Sequence, residues 1–175
     1  YVILGSTQII TGYGPTDICW VLKIDSMGNQ QWNKTYTEVG MVYAYSIIQT
    51  NEAGYLVAGI KFTPDGQSSN GWMAKLNSVG NIVGSPTYGI INAVGVVIQT
   101  NDGGYAAVGS GNATTTMVKT NSQGTVQWTQ TYGGTMDWAG SVIQTADGGY
   151  TIGGTTTSFG AGNTDFWLIR TDASG

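Results

Sequence analysis

One ten-residue pattern recurs three times along the chain and limits the fold more than any other feature. It reads Ser46-Ile47-Ile48-Gln49-Thr50-Asn51-Glu52-Ala53-Gly54-Tyr55, then Val96-Val97-Ile98-Gln99-Thr100-Asn101-Asp102-Gly103-Gly104-Tyr105, then Ser141-Val142-Ile143-Gln144-Thr145-Ala146-Asp147-Gly148-Gly149-Tyr150. Each copy is a β-branched run, a polar turn ending in glycine, and an aromatic that opens a second run. That is a hairpin signature. The tyrosine markers fall at Tyr1, Tyr55, Tyr105 and Tyr150, at spacings of 54, 50 and 45 residues.

Other markers keep the same order. After each tyrosine comes Trp20-Val21-Leu22-Lys23, Trp72-Met73-Ala74-Lys75, Thr116-Met117-Val118-Lys119 or Trp167-Leu168-Ile169-Arg170. Then follow the turns 25–28, 77–80, 121–124 and 172–175, and a Gln-Trp-x-x-Thr-Tyr run at 31–36 and 127–132, weakened at 83–88. Each unit therefore holds four short antiparallel strands, and such a sheet buries too little by itself and must stack on neighbours. Radial stacking of four-stranded sheets gives an all-β propeller. A β-sandwich would not predict the same ordered markers in every unit. The expected units are about 1–36, 37–88, 89–132 and 133–175, with fourteen strands in one propeller segment of about 3.5–4 repeats. The chain opens on Tyr1 within a strand-like run, as an excised piece would. An open arc would bare apolar faces, so further blades or copies of the same protein are expected to cover its ends.

Composition agrees with strands and excludes several functions. Charged residues are 9% of the chain, against roughly 25% in ordinary soluble domains. Net charge is −4 with no basic stripe, which argues against nucleic acid. No apolar run is long enough to span a membrane as a helix. With no histidine and one cysteine, neither a zinc site nor an internal disulfide is expected. Cys19, inside an apolar run, reads as a small buried hydrophobe.

The pattern Trp128-x-x-Thr131-Tyr132-Gly133-Gly134, then 141–150, then Ser158-Phe159-Gly160-Ala161-Gly162 and Asp165-x-Trp167-Leu168-Ile169-Arg170-Thr171-Asp172 resembles a known repeat. It is similar to the propeller repeats of large secreted and cell-surface proteins of archaea and bacteria. The last unit matches best; the second has Thr37-Glu38 in place of the Gly-Gly, and the third lacks the tryptophan before Lys119. The resemblance implies a propeller and an extracellular or cell-surface location, and it carries no catalytic residues or cofactor. The spacing Asp25-x-x-Gly28-x-x-x-Trp32 is also similar to the docking tryptophans of pyrroloquinoline-quinone propeller enzymes, which implies packing rather than a cofactor.

Binding usually resides in variable loops on a rigid scaffold. Here these are 7–17, 61–71, 110–115 and 156–165, with 37–44, 89–94 and 133–140, all expected at the end opposite the Asp-Gly turns. They offer Tyr13, Asp17, Glu38, Tyr43, Asp65, Asp137, Trp138, Phe159 and Asp165. Aromatics beside carboxylates suit a sugar or a protein surface, and paired carboxylates could hydrolyse a glycan. The acids lie in separate loops without paired spacing, so a non-catalytic structural or adhesive module is the leading expectation. A carbohydrate-active enzyme and a lectin-like binder are its rivals. No calcium-loop spacing is present, and no metal is expected. Asn112-Ala113-Thr114, in a loop, is a better glycosylation acceptor than Asn33-Lys34-Thr35, inside a strand.

Overall fold

The computed structural model describes residues 1–12, 14–36, 41–63, 65–84, 87–88, 91–111, 114–134 and 136–175. Among them every regular element is a strand, and every strand pair is antiparallel. β1 (Val2–Thr11), β2 (Gly14–Ile24) and β3 (Gln30–Tyr36) form the first sheet. The second holds β4 (Val42–Gln49), β5 (Tyr55–Phe62), β6 (Ser69–Leu76) and then β7 (Ile82–Gly84) and β8 (Thr87–Tyr88), two stretches pairing along β6. The third is β9 (Ala93–Gln99), β10 (Tyr105–Gly111), β11 (Thr114–Thr120) and β12 (Val126–Tyr132). The fourth is β13 (Trp138–Gln144), β14 (Tyr150–Thr156) and β15 (Asp165–Thr171). With β7 and β8 taken as one interrupted strand, the described residues form fourteen strands in four sheets. The chain divides into two compact units, Tyr1–Tyr88 and Gly89–Gly175, with two sheets in each.

Within each unit the two sheets stack face to face. In the first, Cys19, Val21 and Tyr36 pack with Val42, Tyr55, Val57, Trp72 and Leu76 of the second sheet. In the second, Ala106, Val108 and Met117 meet Ala139, Val142, Tyr150 and Ile152. Cys19 is fully buried, and desolvation pushes its thiol up to about 12, so it packs as a hydrophobe.

The same joint is built in both stacks. The Trp32 ring meets Tyr55 edge-on at 5.7 Å and 73°, and Trp128 meets Tyr150 at 5.7 Å and 72°. Each indole lies against the turn glycine of the sheet it docks on. A Cβ on Gly80 would come within 3.0 Å of Trp32, and one on Gly175 within 2.9 Å of Trp128. Both glycines have positive φ, so the turn and the indole demand the same residue.

Local chemistry fixes the turns. Asp25, Asn77 and Asn121 each accept backbone N–H bonds from the residues two and four further on, the Asx arrangement that closes the hairpin. In the other turn class Asp102 accepts from the Thr100 hydroxyl and Gly104 N–H, and Asp147 from Thr145 and Gly149. A bulge follows. Tyr45, Gly95 and Gly140 are extra residues in β4, β9 and β13, and across from them stand Gly59, Gly109 and Gly154. A Cβ at any of these three would meet a neighbouring carbonyl oxygen at about 2 Å.

Two of the expected loops are largely strand: in 110–115, Ser110 pairs with Thr115 and Gly111 with Thr114. Residues 7–17 are not a long loop: Gln8 pairs with Asp17 and Ile10 with Pro15, so β1 and β2 run on to a tight turn with Gly14 at φ 102°. The β-branched Ile9, Ile10, Thr11 and Thr16 favour continued pairing over a loop.

The second repeat places Ala53, at φ 59°, where its counterparts are Gly103 and Gly148 at φ 79° and 86°. A left-handed alanine costs about 1–2 kcal/mol, and glycine returns part of that through unfolded-chain entropy, about 0.4–1 kcal/mol. Ala53→Gly is therefore expected to stabilise the protein by about 0.5–1 kcal/mol in denaturant unfolding; a loss of stability would contradict the turn assignment.

Candidate functional site

In the first unit the loop end of the two sheets gathers Asp17 and Tyr43. Asp17 stands across from Gln8, whose side-chain amide donates to Oδ1 at 3.3 Å. The Tyr43 hydroxyl donates to Oδ2 at 2.9 Å, joining β4 to β2. This bond to Asp17, followed by desolvation, raises the phenol above its ordinary value. The Tyr43 ring meets Phe62 edge-on at 5.6 Å. Asp65 stands apart in its own turn, where the Thr63 hydroxyl and Gln67 N–H donate to Oδ1 and hold its carboxyl below the usual range.

In the second unit Asp137, Trp138, Phe159 and Asp165 come to one end of the fourth sheet. Asp137 is buried, and its carboxylate is fully engaged. Oδ1 accepts from the Thr156 hydroxyl at 2.7 Å and from the N–H groups of Thr157 and Ser158 at 2.9 and 3.3 Å. Oδ2 accepts from Gly134 N–H at 2.7 Å. Burial would raise its pKa, but the hydrogen bonds from Thr156, Gly134, Thr157 and Ser158 outweigh that and hold it down to about 2. Asp137 thus staples the loop before β13 to the loop after β14.

Beyond that staple, Phe159 lies at 6.0 Å and 31° to Trp167, and Asp165 accepts from Gly162 N–H at 3.3 Å. Trp138 lies 62% exposed, on the opposite side of β13 from the core residue Ala139. Tyr13, Glu38 and Asn112 lie outside the described residues. Asn33 sits in β3 and accepts a 2.6 Å hydrogen bond from the Trp20 indole.

The opposite end carries something composition and spacing left unread. An open groove of about 500 Å³ between the third and fourth sheets is lined by Asp102, Lys119, Gln127, Trp128, Gln144 and Asp147. Gln144 accepts from Asn101 N–H at 2.8 Å, which brings the Asp102 and Asp147 turns to one end, away from Asp165. In the second, third and fourth repeats the basic residue that ends the run 72–75, 116–119 or 167–170 reaches back to the acid of the adjoining turn: Lys75 to Glu52, Lys119 to Asp102 and Arg170 to Asp147, at 2.6–2.8 Å. The signal was in the sequence as an acid in each turn and a base one strand later. Lys119 is buried and also donates to Thr120 O and the Gln127 amide oxygen. Among the described residues no group of three or more His, Cys, Asp or Glu side chains is placed to hold a metal ion.

No family model and no curated protein matches the chain. The solved structure of a protein of unknown function from Bacteroides caccae is similar, with a TM-score of 0.56 at 11% identity, over 91% of this chain and 54% of that one. The chain spans about half the length of that protein, and the likeness is one of fold.

Asp102, Asp137 and Asp147 are each held down to about 2, below an unfolded aspartate near 3.9. Carboxyls lowered by folding lend stability that is complete above the unfolded value and is lost as pH falls through the folded one. Tm is expected to hold above about pH 5 and to drop between about pH 4 and 2. Asp137→Asn, which turns an amide donor toward donors, should lower Tm at neutral pH well beyond Asp65→Asn and shrink the acid loss. A Tm unchanged down to about pH 2 would contradict the staple.

Proposed function

We propose that this chain is a run of β-propeller blades acting as a non-catalytic structural or adhesive module of an extracellular or cell-envelope protein. The propeller reading is supported by four meander sheets of one strand order and by the same tryptophan joint in both stacks. The location rests on the resemblance of the repeat to secreted and cell-surface propellers.

One observation carries the binding role. On a scaffold of near-identical turns, the opposite end of the fourth sheet presents exposed Phe159 against Trp167 and beside Asp165, an aromatic and acidic surface suited to the apolar face and hydroxyls of a glycan or to a protein loop, whereas exposed Trp138 lies on the other face of that sheet. The acids do not favour hydrolysis. Both oxygens of Asp137 are taken by loop donors, and Asp65 closes its own turn, so neither is free for proton transfer.

A glycan array with a parallel hydrolysis assay on cell-wall polysaccharides tests this. Binding without turnover is expected, falling about fivefold in Phe159→Ala, since one aromatic contact contributes on the order of 1 kcal/mol, and holding in Trp138→Ala. Turnover that Asp137→Asn or Asp65→Asn abolishes would replace the adhesive reading with an enzymatic one.

A further inference from the structure

The charges of the second unit are distributed unevenly between its two ends. Residues 89–175 contain only two basic side chains, Lys119 and Arg170. Both are committed at the Asp-Gly end, Lys119 to Asp102 and Arg170 to Asp147. The loop end holds Asp137 and Asp165, and among the described residues neither forms an ion pair. A buried acid is ordinarily matched by a cation or a metal. Asp137 is matched by hydroxyl and N–H donors alone, so its hydrogen bonds are satisfied while its charge is not balanced.

An aromatic pair sits in that field. Asp165, Trp167 and Ile169 alternate onto the face of β15 that packs on the third sheet, where Ile169 joins the core. A Cβ at Gly133 would strike both Asp137 Oδ2 and the Trp167 ring, so the buried carboxylate lies close beside the indole. Phe159 leans on Trp167 at 6.0 Å and 31° and is 56% exposed. A Cβ at the next residue, Gly160, would strike Asp165 Oδ2, which places the second carboxylate at the rim of the pair. That oxygen accepts one long bond, 3.3 Å from Gly162 N–H, and among the described residues Oδ1 accepts none.

An open aromatic face rimmed by carboxylates without a cation is the complement of a positive group. Guanidinium fits it better than ammonium, because a planar fork can lie on a ring and still donate edge-on to a carboxylate beside it. The chain's one arginine is already paired with Asp147, so the occupant comes from a different protein. Taking this loop end as the binding surface, as above, we propose that it receives an arginine side chain of a partner protein, laid over Phe159 with its N–H groups on Asp165. Asp137 contributes charge without contact. A neutral glycan would leave that charge unbalanced.

The test follows the Trp167 indole N–H by NMR, assigned through Trp167→Phe. The 175-residue chain is titrated with acetylated, amidated Gly-Arg-Gly, Gly-Lys-Gly and Gly-citrulline-Gly peptides. The arginine peptide is expected to bind saturably, the lysine peptide more weakly and the uncharged citrulline peptide not at all. Asp165→Asn keeps an acceptor for Gly162 N–H and should weaken the arginine peptide about threefold or more. Raised salt should weaken it as well, whereas Asp65→Asn, in a turn of the first unit, should not. Citrulline binding as well as arginine would show that charge is not read and would overturn the proposal. So would arginine binding that Asp165→Asn leaves unchanged, or a glucosamine oligomer that binds the same place more tightly than the arginine peptide. No arginine binding beside a Phe159-dependent glycan on the array overturns the arginine partner and leaves the adhesive reading standing; no ligand in either assay overturns both.

Discussion

The edge-on contact between a strand tryptophan and the tyrosine of the sheet it docks on is the interaction on which each unit depends. Three or four short strands make a sheet that is marginal by itself, and at 9% charge the chain has little electrostatic means of holding sheets together. Trp32 and Trp128 reach across with nearly the same distance and angle, and each ring rests on a positive-φ glycine. The Trp32 N–H donates to Ser78 O and the Tyr36 hydroxyl to Gly80 O, so the polar tips are satisfied by the backbone of the same turn. One turn thus closes a hairpin, seats an indole and accepts two hydrogen bonds. Its sequence has little room to vary.

Three acid–base pairs serve the hairpins, whereas Asp17 and Lys23 reach across the first stack to Tyr43 and Tyr55. Arg170 and Asp147 are both well exposed, a situation in which an ion pair contributes little. Lys119 is different. It is buried and surrounded by Asp102, Thr120 O and Gln127, and removing an acceptor would leave a desolvated cation. The Asp-Gly end is accordingly a structural end, with the acids of its Glu52, Asp102 and Asp147 turns paired. At the other end the matching is incomplete: Asp137 is spent on its loops, while Trp138 and Phe159 remain open to solvent.

Much of this was legible in the sequence because turn chemistry and strand propensity act locally. The tyrosine-led runs, the Asx turns and the buried Cys19 follow from residues within a few positions of one another. Three features did not, each for a physical reason. The extension of β1 and β2 depends on pairing between Gln8 and Asp17, which a loop and a hairpin spell alike until the register is known. Gly59, Gly109 and Gly154 each stand four residues after a tyrosine, a visible regularity, but their need to be glycine comes from a carbonyl on the neighbouring strand. Asp137 read as a loop acid open to ligand, and only the fold shows Thr156, Thr157, Ser158 and Gly134 converging on it.

A double-mutant cycle on Trp128 and Tyr150 tests the central claim most directly. Trp128→Ala alone should cost about 2–4 kcal/mol, below a fully buried tryptophan because the ring is half-buried. If the joint holds the two sheets together, Trp128→Ala and Tyr150→Leu should couple by about 0.5–1.5 kcal/mol, the usual range for an edge-on aromatic pair. Strictly additive losses in chemical unfolding would show that the rings are neighbours without being a joint, and would contradict this account of how the sheets are held.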